Sequence, residues 1–286
     1  MDKPVKNRII RTAVRAVLAV LTVVFGFTAV SGRLPDDRPD GFMRAVFFDA
    51  GEGDCALIIC GDSVVMIDAA EGGSEQAIGY MQRLGIDHAD YMIVTHFDRD
   101  HAGDVPRIMR EFSVYRLLMP EPVDASIFAY SNIINGVSDE EIIYARTGQS
   151  YVCGELSIDV LAPNAKAKKD NDTSIVCRVS RGDRAVLLCG DASAAEEKTM
   201  LSKYGSSLRS DVIKIAHHGS DYSSTDDFLR ATSPSFAVIS CGKNSYGHPS
   251  MRVISTLKAL GADVAITEGD GVVIYDIFPD RVERKK

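Results

Sequence analysis

From Met43 onward, apolar positions follow two alternating periods. MRAVFF, ALIIC and VVMID, at 43–48, 56–60 and 64–68, predict consecutive strands. Between 74 and 84 the period changes, setting Ile78, Met81 and Leu84 on one face of a helix. YMIVT at 91–95 then predicts a buried strand, 105–112 a helix and VYRLLM at 114–119 another strand. Residues 126–146 carry no clear period. Further strands are predicted at 156–162, 174–180 and 184–189, with Arg181-Gly182-Asp183 as a hairpin signal. The chain continues as helix 194–204, strand 211–216, helix 224–231, FAVIS at 236–240, helix 251–260, DVAIT at 263–267 and VVIYDI at 272–277. No repeat or low-complexity tract is present, although the two halves have similar content. Strands mixed with helices predict sheet cores covered by helices.

The first 33 residues differ in kind. Ala16–Val30 is an uncharged apolar run preceded by Lys3, Lys6, Arg8, Arg11 and Arg15. It is short for a bilayer core, but Ile9, Ile10 and Val14 lengthen it if Arg11 and Arg15 snorkel. It predicts an export segment, either a single-pass anchor or a leader cleaved after Ala29-Val30-Ser31. Both place the chain from residue 34 outside the membrane, at its extracellular face or secreted. The expected organisation is an anchor or signal at 1–33, a Pro/Asp linker at 34–41 and one folded domain at 42–286.

Charge sharpens this division. Residues 1–33 carry a net +5, whereas the other 253 of the 286 carry −13. So acidic a domain is not a general polyanion binder, and any nucleic acid would be held locally. The six cysteines contain no Cys-x-x-Cys, so they predict buried thiols rather than a thiolate zinc site, with one or two disulfides as the alternative.

The densest chemistry is Thr95-His96-Phe97-Asp98-Arg99-Asp100-His101-Ala102-Gly103, which follows an apolar strand and sets two imidazoles and two carboxylates into six residues. Such a loop at a strand end can converge on one or two cations. Asp68, Asp191 and His217 also stand at the ends of apolar runs, where sites form in mixed α/β folds. Of the adjacent His217 and His218, only one is expected to face the site, and His217 is preferred.

The His-x-Asp-x-Asp-His-x-Gly loop, the later Gly-Asp and His-His-Gly-Ser resemble the metallo-β-lactamase superfamily. Within it, FFDAGEGDCALI (47–58), NDTSIV (171–176), LLCGDA (187–192), KIAHHGS (214–220) and YGHP (246–249) resemble the hydrolase domain of ComEC competence proteins. The resemblance implies an α/β fold, the αββα sandwich of two mixed β-sheets flanked by helices, here preceded by one N-terminal hydrophobic helix. It also implies two divalent metal ions, Zn²⁺ or Mn²⁺. His96 and Asp98 would hold the first, Asp100 and His101 the second; Asp191 would bridge them and His217 complete the second set. The superfamily usually has His where this chain has Asp98, and another His near Asn171 and Asp172. Those oxygen ligands shift preference toward Mn²⁺. The third protein ligand of the first metal stays open between Asn171 and Asp172, with Asp172 preferred.

The implied activity is hydrolysis of a phosphodiester, foremost single-stranded DNA or another nucleic acid, linked to DNA uptake or degradation. Asp100 and His248 are the candidate proton acceptor and donor. Asp49, Asp54, Asp68, Asn171, Asp172, His218 and Ser220 are candidates for orienting ligands or touching substrate, with Lys214, Lys243 and Arg252 as candidate cations for a short strand. The alternatives are another exported substrate (a cell-wall phosphodiester, nucleotide, lactone or β-lactam) or a noncatalytic surface module. Any role in uptake would require a separate membrane channel partner.

Overall fold

The computed structural model describes residues 38–137, 142–163 and 171–285. The N-terminal hydrophobic run lies outside them, and among the described residues no helix is long and apolar enough to cross a membrane. Two mixed sheets form the centre. The first runs Val282–Lys285, Val273–Ile277, Met43–Phe47, Cys55–Cys60, Ser63–Ala69, Tyr91–Ile93, Leu117–Met119, Ile142–Tyr144. The second runs Asp263–Ile266, Phe236–Ile239, Val212–Lys214, Arg184–Leu188, Val176–Arg181, Leu156–Ala162, Ser150–Cys153. Each sheet joins an antiparallel half to a parallel half, the physical form of the similar content noted in the two halves of the chain.

Side-chain alternation explains the layering. In Cys55–Cys60, Ala56, Ile58 and Cys60 point into a core shared by both sheets, with Ile158, Val186 and Tyr275. Cys55, Leu57 and Ile59 point the other way, against a helical layer holding Ala77, Met81 and Ile108. A third apolar cluster joins the second sheet to the helices Ala194–Tyr204, Asp226–Thr232 and Met251–Ala259 through Met200, Phe228, Leu229 and Val253. Strands buried on both faces read as continuous apolar runs, which is why they were legible. The result is the four-layer αββα arrangement.

Several boundaries differ from expectation. The run 114–119 is two strands: Ser113–Val114 pairs with His88–Ala89, and Leu117–Met119 joins the first sheet. Among the described residues of 126–146 are a helix, Phe128–Ile134, and a parallel strand, Ile142–Tyr144. Ser150–Cys153 and Val282–Lys285 are edge strands of four residues each, too short for periodicity to show, and the second has a single apolar position. Arg38 and Pro39, read as linker, are docked: Arg38 donates to the carbonyls of Leu84 and Gly85, and the Pro39 carbonyl accepts from Gly61. All six cysteines are buried free thiols.

Candidate metal centre

The site lies where the parallel strands of both sheets end. Tyr91–Ile93 leads through Thr95 into the His96 loop, whose residues Arg99–Ala102 form a helical turn. Arg184–Leu188 leads to Asp191, and Val212–Lys214 leads to His217 and His218. Gly190 lets these ends meet. It has φ +49°, and a Cβ there would stand 2.9 Å from the Thr95 Cβ.

Asp68 and Thr95 form the hub of the cluster. Asp68, at φ +57°, accepts from the Thr95 amide (2.8 Å), the Thr95 hydroxyl (2.7 Å) and His101 Nδ1 (2.8 Å). Because the Thr95 hydroxyl proton goes to Asp68, the Thr95 oxygen accepts from His96 Nδ1, 3.2 Å away. His218 Nδ1 donates to the Ser240 carbonyl at 3.0 Å. In their neutral forms all three rings therefore carry their proton on Nδ1 and present an Nε2 lone pair.

Those lone pairs converge on Asp191, and its two oxygens face different partners. Oδ1 is 3.2 Å from His101 Nε2 and 3.7 Å from His218 Nε2, and the latter is 3.4 Å from Asp100 Oδ2. Oδ2 is 4.0 Å from His96 Nε2 and 3.6 Å from His217 Nε2, with Asp98 Oδ2 3.5 Å from His96 Nε2. Asn171 Nδ2 also approaches Asp191 Oδ2, at 3.4 Å.

The expectation that a single one of His217 and His218 faces the site is corrected: both do. His217 and His218 have φ of 50° and 52°, a left-handed turn in which neighbouring side chains diverge by roughly 100° instead of alternating as in a strand. His218, buried, joins Asp100 and His101, the place expected for His217; His217, a third exposed, stands on the His96 side. Of the pair Asn171 and Asp172, Asp172 accepts from Ser193 Oγ (2.8 Å) and Asn171 Nδ2 donates toward Asp191 Oδ2 (3.4 Å).

The remaining candidates occupy supporting positions. Asp49 accepts from the Gly51 amide, ordering its loop, and buried Ser220 accepts from the Tyr222 amide. His248 is half-buried, its ring centroid 5.6 Å from that of His217. Lys214 is not a substrate cation: it is buried, 2.5 Å from Asp54 Oδ2 and 3.0 Å from the Ile215 carbonyl. Arg252 is likewise engaged, by Asp221, Asp226 and three backbone carbonyls. Lys243 is exposed. A lysine inside the apolar run DVIKIA was the available signal for a buried ion pair, because lysine is almost never buried unless paired.

The donor set fits divalent cations. His96 Nε2, His101 Nε2, His218 Nε2 and Asp191 Oδ1 are buried without a hydrogen-bond partner. The carboxylates of Asp54, Asp68, Asp98, Asp100 and Asp191 gather about the histidines, and the one lysine paired with any of them is Lys214, with Asp54, which leaves negative charge for cations to balance. Protonation behaviour agrees. Burial alone would lower the His101 imidazolium, but Asp191, Asp68 and Asp54 hold it well above the usual histidine value. His218 is raised as well, its burial outweighed by Asp100, Asp191 and Asp54. Burial would raise the Asp100 carboxyl, yet the imidazolium forms of His218, 3.4 Å away, and of His101 bring it down to about 2.

Cations and protons therefore compete for His101 and His218. Divalent-ion affinity is expected to rise from pH 6 to pH 8, with protons released on binding, as read by calorimetry in buffers of different ionisation enthalpy. Affinity that does not change over that range would contradict this reading of the two rings.

Comparisons with known proteins agree with fold and motif. Residues 48–139 match the metallo-beta-lactamase superfamily. The metallo-beta-lactamase fold protein YhfI from Bacillus subtilis superposes with a TM-score of 0.57 at 12% identity, covering 81% of this chain and 99% of that one. Residues 48–139 thus carry the sequence of a metallo-β-lactamase superfamily domain, and the fold around them agrees. In sequence the chain is related to the ComEC-type competence proteins. It is 30% identical over 210 residues to ComE operon protein 3 of Bacillus subtilis (strain 168), covering 71% of this chain and 26% of that protein. It is 27% identical over 258 residues to Competence protein ComA of Neisseria gonorrhoeae, covering 85% of this chain and 33% of that one. The chain thus spans about a quarter to a third of the length of these relatives.

Proposed function

We propose that this protein is an exported or membrane-anchored, metal-dependent phosphodiesterase whose preferred substrate is single-stranded DNA or a similar nucleic acid. The observation that carries the reading is the division of Asp191: one oxygen toward His101 and His218, the other toward His96 and His217. On this reading Asp100, His101 and His218 would hold one divalent ion, His96, Asp98 and His217 would hold a second, and Asp191 would serve both. His217 thereby takes the place for which the sequence offered Asn171 or Asp172. When bound, such ions would supply Lewis acidity toward a phosphoryl group and acidify water.

The chain's own residues do the rest. Asp68 and Thr95 hold His96 and His101 in the tautomer that presents Nε2. Asp100, ionised at any working pH, accepts a hydrogen bond from incoming water and orients it. Burial and the nearby His218 charge keep His248 below the usual histidine value, so it is neutral and donates one N–H to a phosphate oxygen or leaving group. The acidic surface keeps long polyanions at a distance, which favours short or single-stranded phosphodiesters over duplex. The competence relatives and the N-terminal apolar run support a location outside the membrane, with a separate channel protein as partner in any uptake.

The test is incubation of the purified chain with fluorescent single-stranded DNA in Mn²⁺, Zn²⁺ or chelator, beside an Asp100→Ala control and with a chromogenic phosphodiester and a chromogenic lactam in parallel. Metal-dependent cutting of DNA that the control lacks is the expected result. Turnover of the lactam alone, or of neither phosphodiester, would overturn the phosphodiesterase reading.

A further inference from the structure

A line of rings leads out of the buried cluster. His101 and His218 lie 5.3 Å apart between centroids, His218 and His248 lie 6.5 Å apart with planes within 27°, and His248 and Tyr246 lie 5.8 Å apart with planes within 30°. His101 is wholly buried, whereas Tyr246, at the other end, is 77% exposed. Nothing in the packing of the fold accounts for a large aromatic ring left so open to water.

Its backbone is nevertheless held firmly. Asn244 Oδ1 accepts from the amides of Tyr246, Gly247 and His248 at 3.0, 3.0 and 3.1 Å, while Asn244 Nδ2 donates to the carbonyls of Gly242 and His248. The turn is also tied to the segment after His218: the Ser250 amide donates to the Gly219 carbonyl, and Arg252 donates to the carbonyls of Asp221, Ser223 and Ser224. That segment carries Tyr222, 85% exposed. Lys243, three residues before Tyr246, is exposed and makes no ion pair with the described residues.

An exposed aromatic on a fixed turn, with an exposed lysine three residues before it and the histidine cluster reached through His248 behind it, is what binding of a single strand requires. Bases stack on such rings whatever their sequence, and a ring carried on an already ordered backbone leaves less freedom to be lost when a base covers it. We propose that Tyr246 is the stacking platform of a nucleobase subsite, placing the base of a nucleotide next to a phosphodiester at the candidate metal centre, with Lys243 as the cation offered to a neighbouring phosphate. This rests on the phosphodiesterase reading for the identity of the strand and deepens it to a preference for base-bearing single strands. It also explains how so acidic a domain holds nucleic acid, since stacking needs few cations.

The test measures binding apart from cutting. Fluorescence anisotropy of a labelled ten-residue oligothymidylate, and of an abasic strand of the same length, is read with the full chain in Ca²⁺ for wild type, Tyr246→Ala and Tyr246→Phe. Wild type is expected to prefer the base-bearing strand by about tenfold, the scale of one stacked base. Tyr246→Ala is expected to bring the two affinities together and Tyr246→Phe to keep them apart. Equal affinity of wild type for both strands, or a preference undiminished in Tyr246→Ala, would overturn the platform. Cutting of the base-bearing strand by wild type in Mn²⁺, read separately, decides the phosphodiesterase reading itself.

Discussion

Asp191→Ala is expected to abolish tight binding of divalent ions and to lower hydrolysis by at least about a hundredfold, since even partners outside the ligand set commonly cost 10–100-fold. No other carboxylate in the cluster touches both groups of imidazoles, with Oδ1 toward His101 and His218 and Oδ2 toward His96 and His217. Asp98 makes the contrast. Nearly half of its side chain is exposed and it approaches His96 alone among the cluster's rings, so Asp98→Ala should weaken one ion more than the other. The fold should survive Asp191→Ala, because Asp68 and Asp54 remain beside His101 to balance its charge. Metal analysis after dialysis, together with rates under saturating Mn²⁺, separates these expectations. An Asp191→Ala protein that retains its full metal content would contradict the role given to this carboxylate.

Lys214→Met should act on the fold before it acts on the chemistry. The ammonium lies 2.5 Å from Asp54 Oδ2 in the interior, and both partners show the signature of a strong pair. Burial would lower Lys214 and raise Asp54, yet each charge holds the other in its ionised form, with Lys214 raised and Asp54 lowered. Removing one member leaves the other charge buried and unbalanced, at a cost of about 3–5 kcal/mol. In a domain of this size that corresponds to a fall in melting temperature of roughly 10 °C. Replacing both, as Lys214→Met with Asp54→Asn, should recover much of the loss, since no net buried charge remains. A single Lys214→Met variant that melts like wild type but binds DNA more weakly would restore lysine to the role of a substrate cation.

These two residues also mark how far the sequence could be read. The His96–His101 loop was plain because four ligand-type residues crowd a strand end, and Asp191 because it follows an apolar strand and a glycine. Buried strands such as Cys55–Cys60 were plain because both faces are apolar. Legibility failed where backbone conformation, rather than residue type, decides direction. His217 and His218 share a left-handed turn, so both rings reach Asp191, which no strand-like reading of VIKIAHHG anticipates. Asn171 and Asp172 were separated only by the turn that sends one to Asp191 and the other to Ser193. Lys214 looked available because its partner, Asp54, stands 160 residues earlier. Asn244, whose side chain organises the turn of Tyr246 and His248, escaped notice because an asparagine in a polar loop carries no signal beyond turn formation.

The central claim is that one shared carboxylate joins two cation sites, and the most direct test is the number of Mn²⁺ ions bound per chain at saturation, counted by elemental analysis. The account predicts two for the wild-type protein, with His217→Ala losing one of them. A wild-type count of one, or an undiminished pair in His217→Ala, would contradict it.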